Sequence, residues 1–335
     1  MAFEPRAELP APQYSGYAMS KQREVSREVS RRQFVAAMAS ALCMAGESEE
    51  DIVDIHGHPG IPAYHSEKWV LQHQRHHGIK TTMLLPIPAA AGVEKIGGLV
   101  NLLPKFTLGQ GSAQRLTKTY PGEFCFFANA DARRKDASKQ LENYLKAGAI
   151  GIGEVKLPLS CGAPEMERIY DVARAWKVPA LIHFQHRLFA TGIERFHKVA
   201  ARYPGVMFIG HAQTWWSNMG RTETQTELYP RGPVKPGGFT DILLTEYPNV
   251  YADLSGASGF GAVARDREHW MSFATRHQDQ LLFGSDCEHK GMEAEVCWAG
   301  RTKQLVRMLG PSEPIVRKIL SGNARRLLRP VGKGA

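Results

Sequence analysis

The sequence predicts an α/β fold, one (β/α)8 or TIM barrel behind an N-terminal tail, and three observations predict it. Eight short apolar runs alternate with helical patterns, and four of those runs stop at a His or Asp. The third is size: 335 residues, 43% hydrophobic and 22% charged, suit a single barrel of roughly 250–300 residues plus a tail better than two domains. The ligand-ended runs are DIVDIHGH (51–58), VPALIH (178–183), VMFIGH (206–211) and LLFGSD (281–286). In a parallel barrel such runs are buried strands whose C-terminal ends converge on one mouth. Four ligands distant in sequence then meet at one point, the pattern of a metal-dependent hydrolase.

The first strand, 51–56, carries Ile52, Val53 and Ile55 into His56 and His58. The i, i+2 spacing throws both imidazoles to one side of an extended chain. An H-x-H is close to chance in a chain with 13 His, so its weight comes from that position. A helix over 66–77 follows, and its His73, His76 and His77 read as an outer polar face without function. Further strands are expected at 79–85, 124–130, 150–156, 179–183, 206–210, 249–254 and 281–285. Helices are expected at 137–147, 164–176, 191–203, 239–247, 266–277, 292–309 and 313–328, with Gly148, Gly205 and Gly310 at helix stops. The long gaps 86–123 and 212–248 would be loops over the mouth. A doubly wound open sheet is the alternative architecture. It is disfavoured because no G-x-G-x-x-G follows the first strand and the ligands spread over strands one, five, six and eight.

The net charge of +9 does not mark a nucleic-acid binder. Residues 1–50 are slightly acidic, whereas residues 300–335 carry 9 basic groups against Glu313 alone, far in sequence from the strand ends. A solvated helical face explains that excess more simply than a phosphate track. No apolar run of transmembrane length exists, so no membrane span is expected. The five Cys (43, 125, 161, 287 and 297) form no C-x-x-C and read as free thiols or incidental core residues.

Residues 1–50 read as a leader and 51–330 as the barrel domain. Residues 1–30 are polar and aperiodic, which predicts disorder. Ser30-Arg31-Arg32-Gln33-Phe34-Val35 and the weakly apolar stretch after it resemble a twin-arginine export signal, with cleavage expected near 39–45. That implies a periplasmic protein. The alternatives are an amphipathic lead-in helix packed on the barrel and a cytoplasmic location.

Taken together, H-G-H after the first strand, His183 closing the fifth, G-H closing the sixth, G-S-D closing the eighth and the terminal G-N-A-x-R-L resemble the amidohydrolase superfamily, most closely its amidohydrolase-2 branch. The likeness runs from about Asp51 to Leu328. It implies that His56, His58, His183 and Asp286 bind a divalent ion, most simply Zn²⁺. It also implies that His211 binds a second ion or polarises the substrate. Many members carry a bridging carboxylated Lys or a Glu where this chain has Glu154, so one or two ions are expected. A buried Glu154–Lys156 ion pair is the structural alternative.

The residue types suit that chemistry independently. Neutral imidazoles bind Zn²⁺ without cancelling its charge, and one carboxylate leaves Lewis acidity intact. An open position lowers the pKa of bound water toward about 7. Asp286 is then placed to take the water's proton and pass it to the leaving group. Trp215, Trp216, Arg231 and Lys235 lie on a Pro/Gly-rich loop that reads either as a substrate lid or as packing and a homo-oligomer interface. His186 and His289 read as substrate contacts or surface residues. The expected activity is hydrolysis of a lactone, ester or amide of small size. Decarboxylation or hydration of an unsaturated or aromatic acid is the second reading, with Arg187, Arg231 and Lys235 as a carboxylate clamp. A non-catalytic barrel is the third.

Overall fold

Eight parallel strands close in chain order around one axis in a computed structural model of the chain. The structure describes residues 31–32, 34–36, 38–39, 51–59, 66–88, 107–222, 225–287, 291–293 and 295–328. The barrel strands are β1 (Ile52–Gly57), β2 (Ile79–Leu84), β3 (Phe124–Phe126), β4 (Ile152–Val155), β5 (Ala180–His183), β6 (Phe208–His211), β7 (Val250–Asp253) and β8 (Leu281–Leu282). The ladder runs β1–β2–β3 on one side and β4 through β8 on the other. Backbone bonds join the two arcs: Ala128 N–H to Gly151 O (2.8 Å) and Gly153 N–H to Ala128 O (2.9 Å) on one seam, Ile55 N–H to Phe283 O (3.1 Å) and Asp286 N–H to His56 O (2.8 Å) on the other. A closed ring leaves no edge between strands one and eight, so the open-sheet alternative is excluded.

Neighbouring β1 residues feed two apolar clusters, as strand alternation requires. Val53 and Ile55 join Met83, Leu85, Phe127, Leu181, Ile209 and Leu282 in a cluster built from strands around the ring, the barrel interior. Ile52 joins Leu84, Phe124, Phe126 and the apolar faces of the helices in the larger outer core. The helices are α1 (Glu67–His76), α2 (Gln110–Thr119), α3 (Ala137–Lys146), α4 (Pro164–Trp176), α5 (Phe196–Arg202), α6 (Gln213–Ser217), α7 (Phe239–Glu246), α8 (Gly256–Ala264), α9 (Arg267–Arg276), α10 (Trp298–Leu309), α11 (Glu313–Arg317) and α12 (Asn323–Leu328). Ser66 and Asp266 cap α1 and α9 through their side chains, and Pro164 opens α4 at its first turn.

Several sequence expectations need correction. The 191–203 helix is a 3₁₀ turn (Ile193–Arg195) followed by α5. The 292–309 helix begins only at Trp298, and the 313–328 helix is divided by a π turn at Lys318–Gly322. His73 and His77 are buried, so only His76 belongs to an outer face. Cys287 and Cys297 form a disulfide, whereas Cys161 is a free buried thiol. The basic C-terminal residues are not all solvated: Arg325 is buried, donating to Ser321 Oγ (2.5 Å) and Asp51 O (3.1 Å).

Of the tail, Arg31, Arg32, Phe34–Ala36, Met38 and Ala39 are helical. Ala36 is buried in the outer core and Arg32 pairs with Glu142 at 3.3 Å, the arrangement a packed lead-in helix would give. The expected disorder of 1–30 and the cleavage region 40–45 lie outside the described residues.

Candidate metal centre

Strand ends bring the expected ligands together. His56 and His58 come from the end of β1, Glu154 from β4, His183 from β5, His211 from β6, and Asp286 from the turn after β8. His183 and His211 are direct register partners on adjacent strands. Their rings stand 5.3 Å apart, and His211 lies 4.4 Å from the His56 ring. Asp286 reaches this cluster from a left-handed backbone (φ 45°), uncommon outside glycine, and its N–H bond to His56 O holds it there. Gly256 (φ 67°) makes room: a Cβ there would stand 2.9 Å from Asp286 Oδ2.

The remote nitrogens fix which atoms face the centre. His56 Nδ1 donates to Asp253 Oδ2 (2.7 Å), His211 Nδ1 to the same oxygen (3.0 Å), and His58 Nδ1 to Leu85 O (2.9 Å). His183 Nε2 faces Gln185 Oε1 (3.1 Å). His56, His58 and His211 thus spend a proton outward and turn Nε2 inward, while His183 turns Nδ1 toward Glu154. The inward atoms are crowded. His56 Nε2 and His58 Nε2 stand 3.2 Å apart, His58 Nε2 lies 3.1 Å from Asp286 Oδ1, and His183 Nδ1 lies 2.5 Å from Glu154 Oε1.

Lone pairs and carboxylate oxygens at such separations repel unless a cation lies among them. Glu154 Oε2 is buried without a hydrogen-bond partner, 3.7 Å from His58 Nε2, so one acceptor is left for an ion. The residues therefore fit a divalent metal. Three overlapping ligand sets are available: His56, His211 and Asp286; His56, His58 and Glu154; and Glu154, His183 and His211.

The electrostatics agree. Burial opposes charge on His56, but Asp286 and then Asp253 push its pKa up to about 10, the mark of a site that calls for positive charge. Burial also opposes ionisation of Asp286, and the surrounding His56, His58 and His211 hold it down at about 2. Glu154, opposed by burial, is kept well below the carboxylate range by Lys156 and His183. His183 itself is lowered to about 4, by burial and then by Lys156. The structural ion-pair alternative for Glu154 does not form: Lys156 sits over the Phe189 ring (5.7 Å to its centroid) and makes no ion pair among the described residues.

Other candidates lie elsewhere. Trp215 is fully buried, packed on Gly210 and 5.5 Å from the Phe184 ring, so it presents no face to a substrate and the packing alternative describes it. Trp216 is buried too, donating from Nε1 to Asp253 O (2.7 Å). Arg187 and Lys235 are exposed. Arg231, also exposed, lines a cavity of about 350 Å³ with Trp216, Tyr229, Ser258 and Arg265, which contains none of the six ligand-type residues. His186 is half-buried, its N–H on Thr214 Oγ1 (2.6 Å), and its ring makes no described contact with the cluster. His289 lies outside the described residues.

Sequence reasoning missed the residues that orient the ligands. Asp253, ending β7, accepts from His56, His211 and Ser255 Oγ (2.6 Å) on one oxygen. Asp54 accepts from His56 N–H (2.9 Å), Ser285 N–H (2.8 Å) and Ser285 Oγ (2.6 Å), tying β1 to the turn after β8. The available signals were an Asp at the last position of the NVYAD run and an Asp two residues before the first His.

Comparison with known proteins agrees with this geometry. The amidohydrolase pattern of the amidohydrolase-2 family matches residues 53–329. No curated protein matches the chain. Among solved structures it resembles a putative 2-pyrone-4,6-dicarboxylic acid hydrolase from Pseudomonas putida (13% identity, 84% of this chain and 99% of that one, TM-score 0.56). It also resembles an uncharacterised TIM-barrel protein from Bordetella bronchiseptica (16%, 78% and 82%, 0.55). A third likeness is to a 2,6-dihydroxybenzoate decarboxylase from Rhizobium (17%, 84% and 99%, 0.50). At these identities the likenesses speak for the barrel, and the sequence pattern speaks for the family. Spanning all six ligand-type positions, that match places the chain in the amidohydrolase-2 family of metal-dependent barrel enzymes.

Proposed function

We propose that the protein is a metal-dependent hydrolase that cleaves a C–O or C–N bond in a small lactone, ester or amide, with Zn²⁺ as the resident ion. The observation that carries the reading is the placement of Asp286. Its Oδ1 faces His58 Nε2 at 3.1 Å, its Oδ2 faces His211 Nε2 at 3.6 Å, and its side chain is among the more exposed of the cluster at 16%. His56, His58 and Asp286 would hold one ion, and His183, His211 and Glu154 a second. When bound, the metal supplies Lewis acidity and a water acidic enough to deprotonate near neutral pH. Asp286 is the proton carrier, one oxygen being free to accept a proton and return it to a leaving group at the mouth. His211, anchored by Asp253, keeps Nε2 aimed at the reacting side, and Asp253 holds His56 in the matching tautomer.

A lyase reading rests on Lys156. Its ammonium lies near Glu154 and His183 without an ion-pair partner among the described residues, a suitable anchor for a substrate carboxylate. Metal-replete protein offered aryl esters and γ-lactones, and separately unsaturated and aromatic acids, distinguishes the two. Acid release that Asp286→Asn abolishes while metal is retained supports hydrolysis. CO₂ release or hydration without ester or lactone cleavage overturns it.

Location belongs to the same proposal. The paired Arg31-Arg32 and the Cys287–Cys297 disulfide support export to an oxidising compartment. Cell fractionation of wild type and of Arg31→Lys/Arg32→Lys tests it, retention of the double variant in the cytoplasm being the expected result.

A further inference from the structure

Away from the mouth, His73 of α1, Cys287 after β8 and Cys297 before α10 meet in a buried cluster, one donor atom from each lying within 4.8 Å of the others. We propose that this trio is a separate thiolate–imidazole site for a borderline-soft divalent ion such as Zn²⁺, open when the two cysteines are reduced and closed when they form their disulfide.

Three features suit thiolates once the disulfide that the pair forms here is reduced. His73 Nε2 stands 3.0 Å from Cys297 Sγ, a pairing that suits imidazole beside thiolate and gives little to a disulfide sulfur, a weak acceptor. The Ala299 N–H donates to Cys287 Sγ at 3.3 Å, from the first turn of α10. Cys297 occupies the N-cap of that 12-residue helix with no side-chain cap bond, where the helix dipole stabilises negative charge on sulfur. All three residues are buried, His73 6%, Cys287 7% and Cys297 0% exposed. The Trp69 ring stacks on His73 at 4.6 Å and fixes the imidazole plane. Two sulfurs and one nitrogen form a donor set that selects Zn²⁺ or a similar ion over Mg²⁺ or Ca²⁺.

The redox balance is simple. A dithiol reductant gives two electrons and two protons to the disulfide, forming two thiols and its own cyclic disulfide. Ion binding then displaces the two thiol protons to solvent. Because Cys287 follows Asp286, either state anchors the chain just beyond the candidate catalytic carboxylate.

Cobalt(II) tests the site without relying on activity. The six residues of the mouth include no sulfur, so a thiolate-to-cobalt charge-transfer absorption cannot come from them, and its loss in Cys287→Ser/Cys297→Ser assigns it to the trio rather than to Cys161 or another thiol. Metal-free protein is reduced with a dithiol, desalted, titrated with Co²⁺ and then with Zn²⁺. The expected result is a near-ultraviolet charge-transfer band in the reduced protein, bleached by Zn²⁺ and absent from the oxidised protein. Two thiols should be lost to Ellman's reagent as the band grows, and His73→Ala should move or weaken it. A protein with two titratable thiols from this pair but no charge-transfer band on cobalt addition overturns the proposal. The oxidised wild type serves as the control should Cys287→Ser/Cys297→Ser fail to fold.

Discussion

Asp253 shows how much of a candidate metal site lies outside the ligands themselves. One buried carboxylate oxygen collects His56, His211 and Ser255, setting two imidazole tautomers at once. Asp253→Asn keeps the shape but removes the charge and one acceptor, so metal affinity should fall about 10–100-fold while far-ultraviolet circular dichroism stays unchanged. Competition with a chromophoric chelator measures it, and unaltered affinity would mean that Asp253 does not orient the ligands. A second residue-scale expectation concerns Cys161. Burial pushes its thiol up to about 12, above the ordinary 9, so the native protein holds no thiolate there at pH 8. With folded pKa above unfolded pKa for an acid, that position favours the fold below about pH 9 and loses its contribution as pH rises toward 12. Iodoacetamide at pH 8 should leave Cys161 unmodified until denaturant is added, as mass spectrometry would show. The candidate ligands were legible in the sequence because each lies at the end of an apolar run. Asp253 was not, because one Asp after a strand looks the same whether it meets water or two imidazoles. Trp215 misled for a related reason: adjacent Trp residues on a Pro/Gly-rich stretch do not reveal that the first fills the space above Gly210.

At the scale of elements, strand existence was easier to read than helix continuity. Strands are marked by β-branched and aromatic runs that barrel burial demands, and all eight appear where expected, with ends displaced by a few residues. Two of the missed helices have plain causes. α8 reads GASGFGAVA, three glycines that lower helix propensity, and it forms because packing pins Gly259 against the Leu254 backbone, with no space for a side chain. α2 starts from left-handed Gly109 without a side-chain cap, so no N-terminal signal was present. The terminal G-N-A-x-R-L segment gains a physical meaning. Asn323 donates to Gln278 O and Leu281 O (both 2.7 Å) at the entry of β8, while Arg325 reaches Asp51 O at the entry of β1. This segment latches the seam where the barrel closes. Asn323→Ala leaves two carbonyls to find other donors and should cost about 1–3 kcal/mol in denaturant unfolding. An unchanged midpoint would show that the seam needs no latch.

For the whole molecule, closure of the ring is what turns a near-chance H-x-H into part of a candidate metal centre. His56 and Asp286 lie 230 positions apart and meet because the last strand returns to the first, Asp286 N–H bonding His56 O at 2.8 Å. Four inward ring nitrogens and two inward carboxylates, one with an unpartnered oxygen on Glu154, then call for a cation. That requirement is directly measurable. Elemental analysis of protein purified from metal-supplemented medium, with Cys287–Cys297 kept oxidised, tests it beside a Glu154→Ala variant. The expected result is about one ion or more per wild-type chain and a clear loss in the variant, since a site of this donor set holds its metal tightly. Fewer than about 0.2 ion per wild-type chain would contradict it.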